Sequence, residues 1–189
     1  EALATKASGE NALAGGLPTI AGTAIAKACE ETLFRDGLSA FADVQKGLVT
    51  PEVEAIVEAN TLLSGLGFEN GGLAAAHAIH NGFTAIKGEV HRLTHGEIVG
   101  FCLLVQLILE ERPQEEFKRY RRFLAAIGMP TTLAEMHLTG ATREELVKVG
   151  KLAVAQSNTM KNLNKNITAE QVVAAILAVD TFIGKEEKE

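Results

Sequence analysis

The stretch "THGEIVGFCLLVQLIL", residues 94–109, decides the fold class of this chain. Thr94 and Glu97 stand three residues apart, the spacing at which each side chain can accept a hydrogen bond from the other residue's backbone N–H. The twelve residues that follow carry one polar side chain, Gln106. They are too few to span a bilayer, which takes about 20 residues. The stretch therefore predicts a helix that begins at a capping box and is buried in a protein core.

Helical signals continue on both sides of this stretch. Thr50 and Pro51 form a helix start, with Thr as N-cap and Pro at the first helical position. Two further capping boxes stand at "TREE" (142–145) and "TAEQ" (168–171). The apolar period that starts at Ile20 predicts a helix with a stop at Gly37. Because no segment alternates apolar and polar residues as a strand does, the predicted fold class is all-α, a multi-helix bundle.

The glycine-rich run "GLGFENGG" (65–72) has some likeness to a phosphate-binding loop. It follows a predicted helix instead of a strand, and Asn70 stands where the third glycine of the dinucleotide motif would be. The run therefore predicts a linker between two packed helices. The chain carries no other candidate for a dinucleotide-binding motif, so no cofactor-binding residue is predicted in it.

Composition limits the partners and the location that we expect. The 189 residues carry 18 basic and 24 acidic side chains, a net charge of −6, and no Trp. This balance argues against a nucleic-acid partner. Cys29 and Cys102 stand among apolar neighbours without metal-binding spacing, which indicates buried free thiols in a reducing compartment. We expect a soluble, cytoplasmic protein with no membrane partner. Because Glu1 opens a helical stretch without Met, we also expect that an upstream part of the protein is missing.

Four of the five histidines lie within residues 74–97. His77 and His80 are three apart and share one helix face. The extended path back from that helix is long enough to bring His95, at the start of the next helix, level with His77. A metal site is one interpretation. The alternative is that the histidines are surface or capping residues, and we prefer that interpretation for His91 and His137. A catalytic Zn²⁺ needs three protein ligands, and the residues do not identify a carboxylate for it.

The run from Ala59 to Glu97, "ANTLLSGLGFENGGLAAAHAIHNGFTAIKGEVHRLTHGE", resembles glycerol dehydrogenases of the iron-containing alcohol dehydrogenase superfamily. The similarity extends over nearly the entire chain. It implies that residues 1–189 are a single helical metal-binding domain, the C-terminal domain of a dehydroquinate-synthase-like fold. It also implies an N-terminal, Rossmann-like, NAD-binding domain that is absent from this chain.

The resemblance implies a site with Zn²⁺, or Fe²⁺, held by one Asp and two His. The two histidines correspond to His77 and His95, while His80 and Phe68 correspond to residues of the substrate pocket. The Asp belongs to a "DALAT"-like helix, and the alignment without a gap places it upstream of Glu1. An alignment with a gap would instead put Glu1 in its place as the third ligand.

The activity that the resemblance implies is the NAD-dependent oxidation of glycerol, or a related polyol, to dihydroxyacetone by a homo-oligomer. The isolated chain is then expected to be inactive without its nucleotide-binding domain. A hydroxy-acid or phosphopolyol dehydrogenase is an alternative, because substrate specificity depends partly on the missing domain. Lys161 stands where these enzymes often have a histidine, which also leaves the substrate open. A stand-alone, non-catalytic helical module for metal binding or oligomerisation is the other alternative.

Overall fold

The computed structural model describes residues 1–155 and 159–186. Every regular element within these ranges is helical and none is a strand, which confirms the all-α prediction. The Cα positions divide the chain into two compact units, Glu1–Leu73 and Ala74–Glu189. That residues 1–189 form a single domain stays a prediction. Among the described residues, no helix combines the length and the apolarity needed to cross a membrane.

The first unit is built around one long helix. Its elements are α1 (Ala2–Ser8), α2 (Ile20–Val44), α3 (Pro51–Glu58) and α4 (Ser64–Gly71), with a π-helical turn (Ala59–Leu63) that joins α3 to α4. Helix α2 packs against α3, the π-helical turn and α4. Thr50 caps α3 by accepting a hydrogen bond from the backbone N–H of Val53, and Pro51 takes the first helical position. This helix start is therefore confirmed.

Two predictions for the first unit are wrong, and both concern glycine. Gly37 does not end α2, since it is buried inside a helix that continues to Val44. The predicted linker at 65–72 is helical up to Gly71, and the chain leaves the helix at Gly72, whose φ is 95°. Packing explains the difference, because a Cβ on Gly67 would lie 3.2 Å from the Ala26 Cα. The glycine lets α4 approach α2 closely, and that contact outweighs its low helix propensity.

The second unit places the predicted apolar helix at its centre. Its elements are α5 (Ala75–Phe83), a 3₁₀ turn (Glu89–Arg92), α6 (His95–Leu109), α7 (Gln114–Ala126), α8 (Arg143–Ala153), α9 (Lys161–Asn164) and α10 (Ala169–Glu186). Helix α6 packs against α5, α7 and α10. Phe101, Leu104 and Val105 on α6 have no exposed surface, so the prediction of a buried helix is confirmed.

The three predicted capping boxes all form in the second unit. Thr94 and Glu97 bond reciprocally at the start of α6, and Thr142 bonds in the same way with Glu145 at the start of α8. At the start of α10, the Thr168 N–H donates to Gln171 Oε1 and the Gln171 N–H donates to Thr168 Oγ1. Each box fixes the residue at which its helix begins.

Helices α5 and α8 meet at Gly82. A Cβ on this residue would lie 2.5 Å from the backbone oxygen of Val149, which no side chain could tolerate without movement. The absence of a side chain therefore sets the distance between the two helices. Because α5 carries His77 and His80, this contact also sets where the two imidazoles lie.

Candidate metal centre

The three histidines lie on two helices, α5 and α6. His77 and His80 lie on α5, and both side chains are half-buried. His95 is the first residue of α6 and is exposed. Its position is fixed by the capping box, in which the Thr94 N–H donates to Glu97 Oε2 at 2.7 Å.

The segment that connects α5 to α6 (residues 84–94) brings three imidazoles together. The ring centroids of His77 and His95 are 5.5 Å apart, and the rings are tilted by 47°. The rings of His80 and His95 are closer, with centroids 4.4 Å apart in a T-shaped arrangement. His95 Nδ1 lies 3.2 Å from His80 Nε2, within hydrogen-bonding distance. The loop thus closes as the chain length allowed, with His95 next to both histidines of α5.

The hydrogen bonds of His80 assign a tautomer to His95. His80 Nδ1 lies 3.3 Å from Asn81 Oδ1, and an amide oxygen can only accept, so Nδ1 is the protonated nitrogen of His80. In a neutral ring Nε2 is then an acceptor, and His95 Nδ1 is the donor in the bond between the two rings. This leaves the lone pair of His95 on Nε2, the form in which a histidine can bind a metal ion while its other nitrogen donates.

The surroundings favour the neutral form of His80. Burial lowers the pKa of His80, the hydrogen bond with Asn81 raises it, and the nearby His95 and His77 lower it further. The net direction is downward from the ordinary value of 6.5. Near neutral pH the His80 ring is therefore mainly in its neutral form.

The separation of His77 and His95 agrees with a shared ion. If one nitrogen of each ring lay about 2.0–2.1 Å from the same Zn²⁺, with the tetrahedral angle of about 109°, the ring centroids would be about 5 Å apart. The observed distance is 5.5 Å. Among the side chains described, those of residues 1–155 and 159–181, however, no three His, Cys, Asp or Glu side chains are grouped so that they could hold one ion. The described residues therefore fit two positions of a three-ligand site.

The remaining predicted residues belong to other elements of the chain. Phe68, the aromatic predicted for the substrate pocket, is on α4 in the first unit and is 39% exposed. Glu1, in the same unit, is the N-cap of α1. His91 and His137 are exposed, as expected for surface residues, and His91 Nε2 bonds to the carbonyl oxygen of Ile86 at 2.6 Å. Cys29 and Cys102 are buried thiols, as predicted.

One residue that fixes the start of α5 was not among the predicted site residues. Gln106, predicted only as the polar exception in an apolar helix, is 1% exposed and accepts a hydrogen bond from the backbone N–H of Ala76. A single buried amide in such a helix was the available signal, since a buried polar group needs a partner. The sequence could not indicate that this partner is the residue before His77.

Comparison with known proteins adds an independent line of evidence. No protein-family profile matches the chain. Glycerol dehydrogenase 1 of Schizosaccharomyces pombe is 47% identical over 96% of this chain and 40% of its own length. Glycerol dehydrogenase of Citrobacter freundii is 45% identical over 89% of this chain and 46% of its own length.

A crystal structure of one of these relatives has a matching fold over this chain. The crystal structure of glycerol dehydrogenase from Schizosaccharomyces pombe superposes with a TM-score of 0.96 at 46% identity, covering 100% of this chain and 48% of that one. This chain spans about half the length of the relatives that it matches. In both sequence and fold, the chain is therefore similar to an all-helical part of glycerol dehydrogenases.

Proposed function

We propose that this chain is the metal- and substrate-binding half of a dehydrogenase that oxidises glycerol, or a related polyol, to dihydroxyacetone with NAD. The observation that carries the proposal is the 5.5 Å separation of the His77 and His95 rings. The similarity to glycerol dehydrogenases supports the choice of reaction.

His77 and His95 would hold the ion, Zn²⁺ or Fe²⁺, together with an Asp upstream of Glu1. When bound, such an ion supplies Lewis acidity that lowers the pKa of a coordinated hydroxyl. Two neutral imidazoles and one carboxylate leave a divalent site with a net charge of +1, which suits an alkoxide. Within this chain, His80 keeps the Nε2 lone pair of His95 available by accepting from its Nδ1. His80 and Phe68 would line the substrate pocket.

The hydride acceptor, NAD, would be bound by an N-terminal Rossmann-like domain. The isolated 189 residues are then expected neither to bind NAD tightly nor to oxidise glycerol. We further propose that the protein is cytoplasmic and has neither nucleic-acid nor membrane partners.

A homo-oligomer is also part of the proposal. Leu38, Phe41 and Val44 repeat every three residues near the end of α2, and each side chain is between 43% and 56% exposed. Neighbouring apolar side chains that remain in solvent are typical of surfaces covered by another protein chain. A second copy is the partner that we propose, and sedimentation equilibrium would test it.

Metal binding by defined variants tests the proposal. We expect the chain to bind Zn²⁺ in equilibrium dialysis, and His77→Ala and His95→Ala each to lose most of that binding. His137→Ala is the matched control, because this exposed histidine belongs to neither α5 nor α6 and should bind as the wild type does. Equal zinc binding by all four proteins would refute the ligand assignment.

The substrate requires a separate experiment on the full-length protein. Glycerol, a 2-hydroxy acid and a phosphorylated polyol are compared as NAD-dependent substrates. A clear preference for glycerol supports the main proposal, and a preference for either other class supports the corresponding alternative. Zinc binding together with inactivity toward all three classes would favour the non-catalytic module.

A further inference from the structure

Helix α5 begins without a cap of its own. Ala74 stands at the N-cap position with φ −138° and ψ −129°, and it has no side-chain oxygen to accept from the first N–H groups. Ala74, Ala75 and Ala76 are at most 1% exposed, so water cannot take the place of a cap. A buried N–H without a partner costs about 1–3 kcal/mol. The start of α5, one residue before His77, therefore depends on groups from other elements.

Gln106 on α6 supplies one such group. Its Oε1 accepts from the Ala76 N–H at 2.9 Å. Its Nε2 donates to Glu110 Oε1 at 2.6 Å. Because a carboxylate can only accept, Glu110 orients the amide so that the oxygen faces Ala76. The buried Gln106, oriented by the half-buried Glu110, thus acts as a helix cap that comes from a different helix.

Thr159 holds the same turn through its carbonyl group. The hydroxyl of Thr159 donates to the Ala74 oxygen at 2.6 Å. That oxygen also accepts the first hydrogen bond of α5, from the Ala78 N–H at 3.3 Å. The N–H side and the C=O side of the first turn are thus each bonded to a side chain that is distant in sequence.

We propose that Gln106, oriented by Glu110 and assisted by Thr159, is a positioning residue for His77. It fixes the first turn of α5 and so keeps the His77 ring at the distance from His95 that a shared ion requires. This inference rests on the proposed function, since it concerns the same metal centre. Residues that hydrogen-bond to a metal ligand commonly change metal affinity about 10- to 100-fold when they are mutated, and Gln106 bonds to the residue next to the ligand, so we expect the lower end of that range.

The test compares Zn²⁺ affinity, from calorimetric titration of the chain, with the free energy of unfolding. Gln106→Leu removes the acceptor, and we expect Zn²⁺ affinity to fall about tenfold or more. The double variant Gln106→Glu with Glu110→Gln exchanges the two groups and rebuilds both hydrogen bonds, so most of the affinity should return. The single variant Gln106→Glu, which sets two carboxylates against each other, should not recover it.

Asp180→Ala is the control for a merely structural effect. Asp180 Oδ1 accepts from the Leu133 N–H at 3.1 Å, a comparable bond in the same unit that involves neither α5 nor α6. It should lower stability and leave Zn²⁺ affinity as in the wild type. If Gln106→Leu does not fold, the comparison of Gln106→Glu with the double variant decides in its place.

Two results would overturn the inference. The first is wild-type Zn²⁺ affinity in both Gln106→Leu and Gln106→Glu, or a loss no larger than that of Asp180→Ala. The second is the absence of any zinc binding that depends on His77 and His95 in the wild type, which removes the proposed function together with this inference. The two failures are distinguishable, because only the second involves the wild-type protein.

Discussion

The contact between α5 and α8 offers a direct test of the packing that positions the histidines. In Gly82→Ala, the new Cβ would lie 2.5 Å from the Val149 oxygen and 2.9 Å from the Val149 Cγ1. Nonbonded carbon atoms are most stable about 3.5–4.0 Å apart, so the helices must separate by roughly 1 Å. Overpacking of this kind costs about 1–3 kcal/mol, and the backbone oxygen cannot rotate away. Alanine regains about 1 kcal/mol through its higher helix propensity.

We therefore expect Gly82→Ala to destabilise the fold by up to about 2 kcal/mol, measured by urea denaturation followed by circular dichroism. Gly65→Ala is the matched control, because Gly65 is also helical and a Cβ there meets nothing within 4 Å. It should leave stability unchanged or raise it by up to about 1 kcal/mol. Stability in Gly82→Ala equal to or above that of Gly65→Ala would refute the close approach of α5 to α8.

Two further predictions concern the capping box at the start of α6 and the imidazole of His80. Thr94→Ala should destabilise the fold by about 1 kcal/mol in urea denaturation, and Thr94→Ser should restore most of the loss, because serine also caps helices. Hydrogen bonds from the Thr94 side chain and backbone lower the pKa of Glu97. The capping box therefore adds stability that is fully present above the ordinary carboxyl pKa and is lost as pH falls through the lowered pKa of Glu97. In Thr94→Ala the free energy of unfolding should depend less on pH over this range. His80 should titrate below 6.5 in an NMR pH series, since burial lowers its pKa. As the folded protein then binds fewer protons than the unfolded chain, stability should fall as pH decreases through 6.5; a His80 pKa above 6.5 would contradict this.

Local signals in the sequence were sufficient for the helix starts. The capping boxes at Thr94, Thr142 and Thr168 need only two residues three apart, so their spacing alone predicted where α6, α8 and α10 begin. The burial of α6 followed from its continuous apolar composition.

Features that depend on tertiary contact could not be predicted in the same way. Glycine at 37 and at 65–72 suggested helix ends, yet Gly67 allows α4 to pack closely against α2. The bond between His80 and His95 joins residues 15 apart, and that between Ala76 and Gln106 joins residues 30 apart. Each depends on how α5 crosses α6, and a periodicity within one helix does not contain that information.

The candidate site was therefore predicted in part. The density of histidines and the resemblance to glycerol dehydrogenases selected His77 and His95, and the structure places their rings 5.5 Å apart. His80 was predicted only for the substrate pocket, and its hydrogen bond with His95 gives it a second possible role. The assignment of the ligands stays a prediction, since a cation has to be observed between the rings.

Crystals of the chain grown with Zn²⁺, with anomalous diffraction recorded at the zinc edge, would show whether His77 and His95 share an ion. We expect one peak about 2.0–2.1 Å from a ring nitrogen of His77 and from Nε2 of His95. Zinc bound elsewhere, with no peak between these two rings, would contradict this expectation.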